Sequence, residues 1–384
     1  MPLKKVLAII YTPSFGGPHN QIKQLDSGFL DKGFKYSLCV PKSDQSYQKE
    51  FSEKGIDLYF YEPSRIRYSN AVYHLIKYLL KFPIDVYNYV RIIKNSNCDV
   101  VQICGLMCLQ SGIAAKICGK PIVWQLLSTF APLPLRFLFM PFVAILSSKI
   151  MTTGTATARQ HPFYRLWKSK FIPFYPPVKD NIFKPSNEER VETRKKFGFS
   201  DTDLVIGTLG NKNRQKNHAA FINFIIAITK QSSKNNIRYV IAGRENPEFL
   251  KEYEKTVRAK AKAHNLFEKG VLLETDSSLP VHKILNAFDV FILTSISEGT
   301  PTVIIEALAC GKPVIAPNVG SIKEMLEGNP FCLVYDTLDS NAVHTQILKI
   351  TDAPKAEVVQ TCVEHFNRLF SYDTCVNAHI EAFK

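Results

Sequence analysis

Short apolar runs recur along this chain, each followed by a polar or glycine-bearing loop and then a longer segment of helical period. In the first half the runs are residues 5–11, 33–40, 99–103 and 122–126, and residues 149–156 read as a further strand and turn. In the second half they are residues 203–210, 238–243, 271–274, 290–293 and 313–316. Runs that are apolar at consecutive positions suit strands buried on both faces, as in a parallel sheet covered by helices. The segments between them supply the helices: one ending near Lys32, a pair within residues 65–97, then 110–118, one opening near Ala219, 280–288, 322–327 and 372–383. This alternation predicts an α/β fold with parallel sheets. Residues 171–180 are rich in proline and read as a hinge in which neither strand nor helix propagates. The expected division is a first Rossmann-like domain over 1–177, a second over 178–368, and a terminal helical segment over 369–384.

The most informative stretch is 289–316. It reads as strand, polar loop, helix and strand, with Thr302 as the expected N-cap and Gly311 ending the helix. Such βαβ units hold ligands at the carboxyl ends of their strands. The loop offers backbone N–H groups at a helix start, where the dipole favours an anion such as a phosphate. Glu298 lies in the loop and Glu306 in the helix. A bare pair of acids at this spacing reads as a loop charge and a solvated helix face. The full string Ser-Glu-Gly-Thr-Pro, then Glu-Ala-Leu-Ala-Cys-Gly-Lys-Pro-Val-Ile, is far more specific.

That string resembles the motif of retaining GT-B glycosyltransferases, the glycosyl transferases group 1 (family 4) class. The resemblance implies two Rossmann-like domains facing a cleft, with a nucleotide sugar held mainly by the second and the terminal helical segment returning to the first. It implies that Glu298 contacts donor-sugar hydroxyls and that Glu306 takes the ribose hydroxyls. The backbone from Gly299 through Thr300, Pro301, Thr302 and Val303 would face the sugar and the diphosphate. Gly16 and Gly17, after the first strand, match the family's first loop, although no full G-x-G-x-x-G fingerprint points to a nicotinamide cofactor. At the start of the second domain Gly210 closes a strand, and Lys216 matches the lysine that relatives place on the diphosphate. The accompanying arginine position is Asn211, so Lys212 or Arg214 would have to substitute. A cation is needed there because the leaving nucleoside diphosphate gains charge as the glycosidic bond breaks. Gly243 and Arg244 end the next strand and face the expected nucleotide region. The chain departs from the family at Gln102 and Leu127, where many relatives carry histidine. The resemblance implies catalysis by Glu298, Lys216 and Arg214, with no side-chain base, no metal and no cofactor beyond the nucleotide-diphosphate-sugar donor. Asp201-Thr202-Asp203 has the form of a metal-binding D-x-D but reads as a turn.

Composition narrows the partners. The chain has 384 residues, 46% apolar and 21% charged, which accommodates two α/β domains. Nine cysteines lack paired metal spacing and read as buried thiols of a reducing, cytoplasmic compartment. Residues 1–180 hold 23 Lys and Arg against 10 Asp and Glu, a net +13 out of +14 for the whole chain. A basic first half suits an anionic partner: lipid head groups, a phosphorylated acceptor (a lipid-linked or otherwise anionic glycan, or a small molecule), or nucleic acid. No nucleic-acid recognition motif accompanies the charge. The basic, aromatic-rich segment 65–97 (Arg65, Arg67, Lys77, Lys81, Arg91, Lys94) could lie on an anionic membrane but reads first as helices packed on their own sheet. The apolar segment 130–148 could likewise line a lipid groove and reads first as an ordinary buried helix. The alternative to a transferase is a GT-B-shaped protein that binds nucleotide or sugar with little turnover, motivated by Leu127 and Asn211.

Overall fold

Every strand pairing in both sheets is parallel. The computed structural model describes residues 3–11, 17–41, 51–65, 71–127, 129, 131–231, 236–276 and 278–384. The expectations for residues 12–16 (Gly16 included), Arg67 and Phe130 lie outside them. The chain forms two units, Met1–Pro177 with Asp373–Lys384, and Val178–Tyr372.

The first unit contains β1 (Lys4–Ile10), α1 (Gly17–Asp31), β2 (Phe34–Val40), β3 (Asp57–Phe60), α2 (Ala71–Ser96), β4 (Val100–Cys104), α3 (Leu109–Ile117), β5 (Ile122–Leu126), α4 (Leu133–Leu146), β6 (Lys149–Thr153), α5 (Gly154–Arg159) and β7 (Phe171–Phe174). Its sheet order is β3-β2-β1-β4-β5-β6-β7. The central strands β4 and β5 are buried at every position, as their continuous apolar runs require. β7 lies within the stretch expected to be a hinge. Pro173 pairs with Thr152 in it, and the strand tolerates proline because it is a sheet edge.

The second unit contains β8 (Leu204–Leu209), β9 (Ile237–Ala242), β10 (Leu272–Thr275), β11 (Val290–Ile292), β12 (Val314–Pro317) and β13 (Leu333–Tyr335), in the order β10-β9-β8-β11-β12-β13. Its helices are α6 (Asn187–Phe197), α7 (His218–Gln231), α8 (Leu250–Tyr253), α9 (Ala259–Ala263), α10 (Val281–Ala287), α11 (Thr302–Ala309), α12 (Ile322–Leu326), α13 (Ser340–Asp352) and α14 (Lys355–Phe370). At the amino end of β11 the Asp289 carboxylate accepts from Arg190 at 2.8 Å, Arg194 at 2.6 Å and the Val205 amide at 2.9 Å. Asp201 pairs with Arg190 at 3.1 Å, and Asp203 accepts from the Ser200 amide at 2.8 Å, so this D-x-D is a turn.

A last helix, α15 (Tyr372–Phe383), packs in the first unit from Asp373 onward. A fully buried amide chain holds it. The Tyr36 hydroxyl donates to Gln102 at 2.9 Å, Gln102 to Gln125 at 3.1 Å, Gln125 to Gln21 at 3.2 Å, and Gln21 to Nε2 of His379 at 2.6 Å. Since His379 Nε2 accepts, its proton sits on Nδ1, which donates to the Cys375 carbonyl at 2.8 Å. Gln102 therefore serves the core of its own unit.

Two helices of the first unit differ from expectation. Residues 71–96 form the single helix α2 instead of a pair, with Pro83 inside it. Pro83 and Leu79, whose carbonyl loses its usual amide partner, are both on the solvent side. α4 is not an ordinary buried helix. It buries Phe139, Met140, Val143 and Ala144, while Leu133, Phe137, Leu138, Phe142 and Ile145 are 49–68% exposed. α2 likewise exposes Tyr73, Ile76, Leu79, Leu80, Ile84 and Tyr87.

Candidate active site

Four neighbouring strands of the second unit, β9, β8, β11 and β12, deliver their following loops to the same end of the sheet. This is the end at which parallel α/β sheets hold ligands. After β9 comes Gly243, after β8 the segment 210–217, after β11 the segment 293–301, and after β12 the segment 318–321.

Backbone contacts fix the segments after β8 and β11 to each other. The Thr294 hydroxyl donates to the carbonyls of Lys216 and Asn217, both at 3.1 Å. The Ile296 amide donates to Gln215 O at 2.9 Å, and the Gln215 side chain to Ser297 O at 2.8 Å. The Lys216 amide donates to Asn213 Oδ1 at 3.0 Å, and the Lys216 stem lies across Gly210, close enough that an added Cβ there would meet it at 3.0 Å. The result is an ion pair between Lys216 Nζ and Glu298 Oε1 at 2.7 Å. Gly243 permits this arrangement on the other side: a Cβ there would stand 1.9 Å from the Gly210 carbonyl oxygen.

The loop after β12 clamps the Glu298 loop from outside. Gly320 has φ 59°, and a Cβ on it would lie 2.3 Å from the Glu298 carbonyl and 2.4 Å from that of Gly299. Ser321 donates its amide and its hydroxyl to Gly299 O, each at 3.0 Å, and its hydroxyl also meets that of Thr300 at 2.9 Å. Gly320, Ser321, Thr294 and Gln215 were not expected in the site; residues 318–321 read from sequence only as a glycine loop before a short helix.

The N-cap of α11 is Pro301, not Thr302, and no side chain caps the helix. Proline takes the cap position because it has no N–H to leave unpaired, and the first-turn N–H groups stay without a side-chain acceptor. Val303 is the first buried residue of the helix. Thr302 and Glu306, one turn apart, are the only residues of α11 that are not buried, so they share its one open face. Glu306 has no ion pair or side-chain hydrogen bond among the described residues, and its surroundings push its carboxyl up to about 7.

The other sequence candidates are placed apart. Lys212 is 4% exposed and is taken up by Glu274, by Glu245 at 3.7 Å and by the Tyr253 ring at 5.7 Å. Lys212 is thus held in a buried ion pair with Glu274. Arg214 and Asn211 are exposed, with no ion pair among the described residues. Arg244 is exposed, and its carbonyl accepts from the Lys212 amide at 2.8 Å. In the first unit, Gly17 opens α1 beside Leu127, whose side chain would be 4.0 Å from a Cβ on Gly17.

Residues 189–360 match the family model described as Glycosyl transferases group 1. Among curated proteins, the chain is 26% identical over 235 residues to the Vi polysaccharide biosynthesis protein VipC/TviE of Salmonella typhi, covering 58% of this chain and 39% of that one. The chain spans less than half the length of the curated relatives it matches. Among solved structures, Anabaena Alr3699/HepE in complex with UDP has a TM-score of 0.77 at 16% identity, over 99% of both chains. A glycosyltransferase from Rickettsia africae ESF-5 has a TM-score of 0.79 at 14% identity, over 100% of this chain and 98% of that one. The chain thus has the GT-B fold, two parallel-sheet α/β domains, and its residues 189–360 are similar to the glycosyl transferases group 1 family.

Proposed function

We propose that this protein is a glycosyltransferase that moves a sugar from a nucleoside-diphosphate sugar to an acceptor hydroxyl, with retention and without a metal. The observation that carries the reading is the Lys216–Glu298 pair, set at the carboxyl ends of β8 and β11 beside the uncapped start of α11. An arriving diphosphate competes with Glu298 for the Lys216 ammonium. As the ammonium moves to the phosphate, Glu298 is released to accept hydrogen bonds from sugar hydroxyls. Donor binding in this way arms both groups together. When the glycosidic bond breaks, Lys216 faces the charge that develops on the leaving diphosphate. Glu306, unpaired on the same helix, takes the ribose hydroxyls. The HepE protein, similar in fold, has been solved with UDP and with UDP-glucose, which supports a nucleotide sugar as the donor class.

The acceptor in this reading is lipid-linked or otherwise anionic, and the protein sits peripherally on the inner face of the membrane. The exposed apolar sides of α2 and α4 support this, together with the exposed Lys77, Lys81, Arg91 and Lys94 on α2. No described helix is long and apolar enough to cross a membrane.

The second reading, a binder without turnover, is favoured by the burial of Lys212, which leaves Lys216 and the exposed Arg214 as the cations of the segment after β8. Thermal-shift titration with nucleoside diphosphates and their sugars, followed by a donor-hydrolysis assay, separates the two. A transferase shows saturable stabilisation and slow hydrolysis of the stabilising donor. Stabilisation without hydrolysis or transfer supports the binder, and no stabilisation by any nucleoside diphosphate removes both.

A further inference from the structure

A second cavity lies in the second unit at the opposite end of the sheet from the Lys216–Glu298 pair. It has a volume of about 590 Å³ and opens among the amino-terminal ends of β9, β8, β11 and β12, under α13 and α14. Ile206, Ile237, Phe288, Ile347 and Val358 give it apolar walls. A cavity of a few hundred Å³ with apolar walls and a few convergent polar groups has the dimensions of a small-molecule site.

One buried polar group on its lining lacks adequate partners among the described residues. Lys312 is 6% exposed, and of its three donors one is used, in a 3.3 Å bond to the Asn286 carbonyl. Unmatched polar groups at such depth are costly in a finished core. The lining acids are already matched: Asp289 by Arg190 and Arg194, Asp201 by Arg190, and Asp203 by Arg238 at 3.4 Å. The cations left over are Lys312 and, at the rim, the exposed Lys355, which has no hydrogen bond among the described residues. The same burial lowers the Lys312 ammonium to about 8.

We propose that this cavity is a binding site for a small amphipathic anion, its apolar body against the Ile and Val walls and its anionic group between Lys312 and Lys355. The site is separate from the donor site and does not depend on the activity assigned to it.

Decanoate and its uncharged counterpart decanol, both kept below the concentrations at which they self-associate, are the probes. Isothermal titration of the whole chain should show one decanoate bound per chain, about tenfold tighter than decanol. Lys312→Met should remove that preference. Ala353→Trp, which places an indole in the cavity from its rim, should abolish binding of both. Saturating UDP should leave decanoate binding unchanged. If Lys312→Met does not fold by circular dichroism, Lys355→Met, at an exposed position, must weaken decanoate and spare decanol. Equal affinity for the two probes, displacement of decanoate by UDP, or full decanoate binding in Ala353→Trp would overturn the assignment.

Discussion

A carboxyl held near 7 titrates where the protein would work, and Glu306 does so on the one open face of α11. A carboxylate accepts more strongly from ribose hydroxyls than a neutral carboxyl does, so nucleoside-diphosphate affinity should rise with pH through about 7. Glu306→Gln should bind more weakly by about 1–3 kcal/mol at pH 8, with a flat pH profile. Equal titration curves for the two proteins at pH 6 and pH 8 would refute the ribose role. Stability should move the other way. The folded state holds the Glu306 proton up to about 7 and the unfolded chain only to its ordinary 4.5, so this residue's contribution is lost as pH rises between those values. Glu306→Gln should therefore unfold at higher urea than the unmodified chain at pH 8. Lys216→Ala carries the complementary expectation. Turnover should fall by about a hundredfold or more, while the unfolding free energy falls by about 1–3 kcal/mol, because the Glu298 carboxylate left unpaired is largely buried. Unchanged turnover would transfer the role to Arg214. At this scale Glu298 and Glu306 were legible as candidates because one continuous string carries the loop and the helix, and Lys216 because a polar loop follows a second apolar run. The fate of Lys212 was not, because its partner Glu274 comes from β10, far along the chain, and only folding brings the two charges together.

Helices and strands were readable where burial is continuous and unreadable where it is not. β4, β5, β11 and β12 are buried at every position and stand out as apolar runs. β3 and β13 have no buried residue, and β7 carries a proline; all three are sheet edges, so one side of each meets no neighbouring strand and the pattern weakens. Helix exposure was misjudged for α4 because an apolar stretch looks the same whether it meets a core or another surface. The clamp formed by Gly320 and Ser321 belongs to this scale too, since it depends on the loops after β11 and β12 meeting. Gly320→Ala puts a methyl into the Glu298 and Gly299 carbonyls at a left-handed backbone position. The expected result is a loss of about 1–3 kcal/mol in stability together with a marked fall in turnover, as the Glu298 loop is pushed aside. Full activity in that variant would mean that the loop position is not critical.

Across the whole molecule, acid should act through histidines before it acts through ion pairs. His161, His218 and His379 are buried, and burial lowers each to about 4 from its ordinary 6.5. Between those values the unfolded chain binds protons that the folded chain refuses, so stability falls as pH drops through this window. Glu306 opposes this, and the decline in urea midpoint should be steeper in the Glu306→Gln background. A midpoint constant from pH 7 to pH 4.5 in that background would contradict the assignment of neutral buried imidazoles. The charge of residues 1–180 makes a further expectation at the same scale. Anionic vesicles should sediment the protein at low salt and release part of it at 1 M, where the Debye length shrinks to about 3 Å, while contacts of the apolar faces of α2 and α4 persist. No preference for anionic over neutral vesicles would leave a soluble acceptor. The amide chain from Tyr36 to His379 has a consequence in time. Its last member, and Phe383 against Phe29 at 5.8 Å between ring centres, are translated only after all of Val178–Tyr372. The first unit to leave the ribosome is therefore the last to acquire its full core, and it must wait with the Phe29 side of its sheet open while the second unit emerges and folds. A chain ending at Tyr372 and released from the ribosome should be digested by protease in the first unit while the second, already whole, resists.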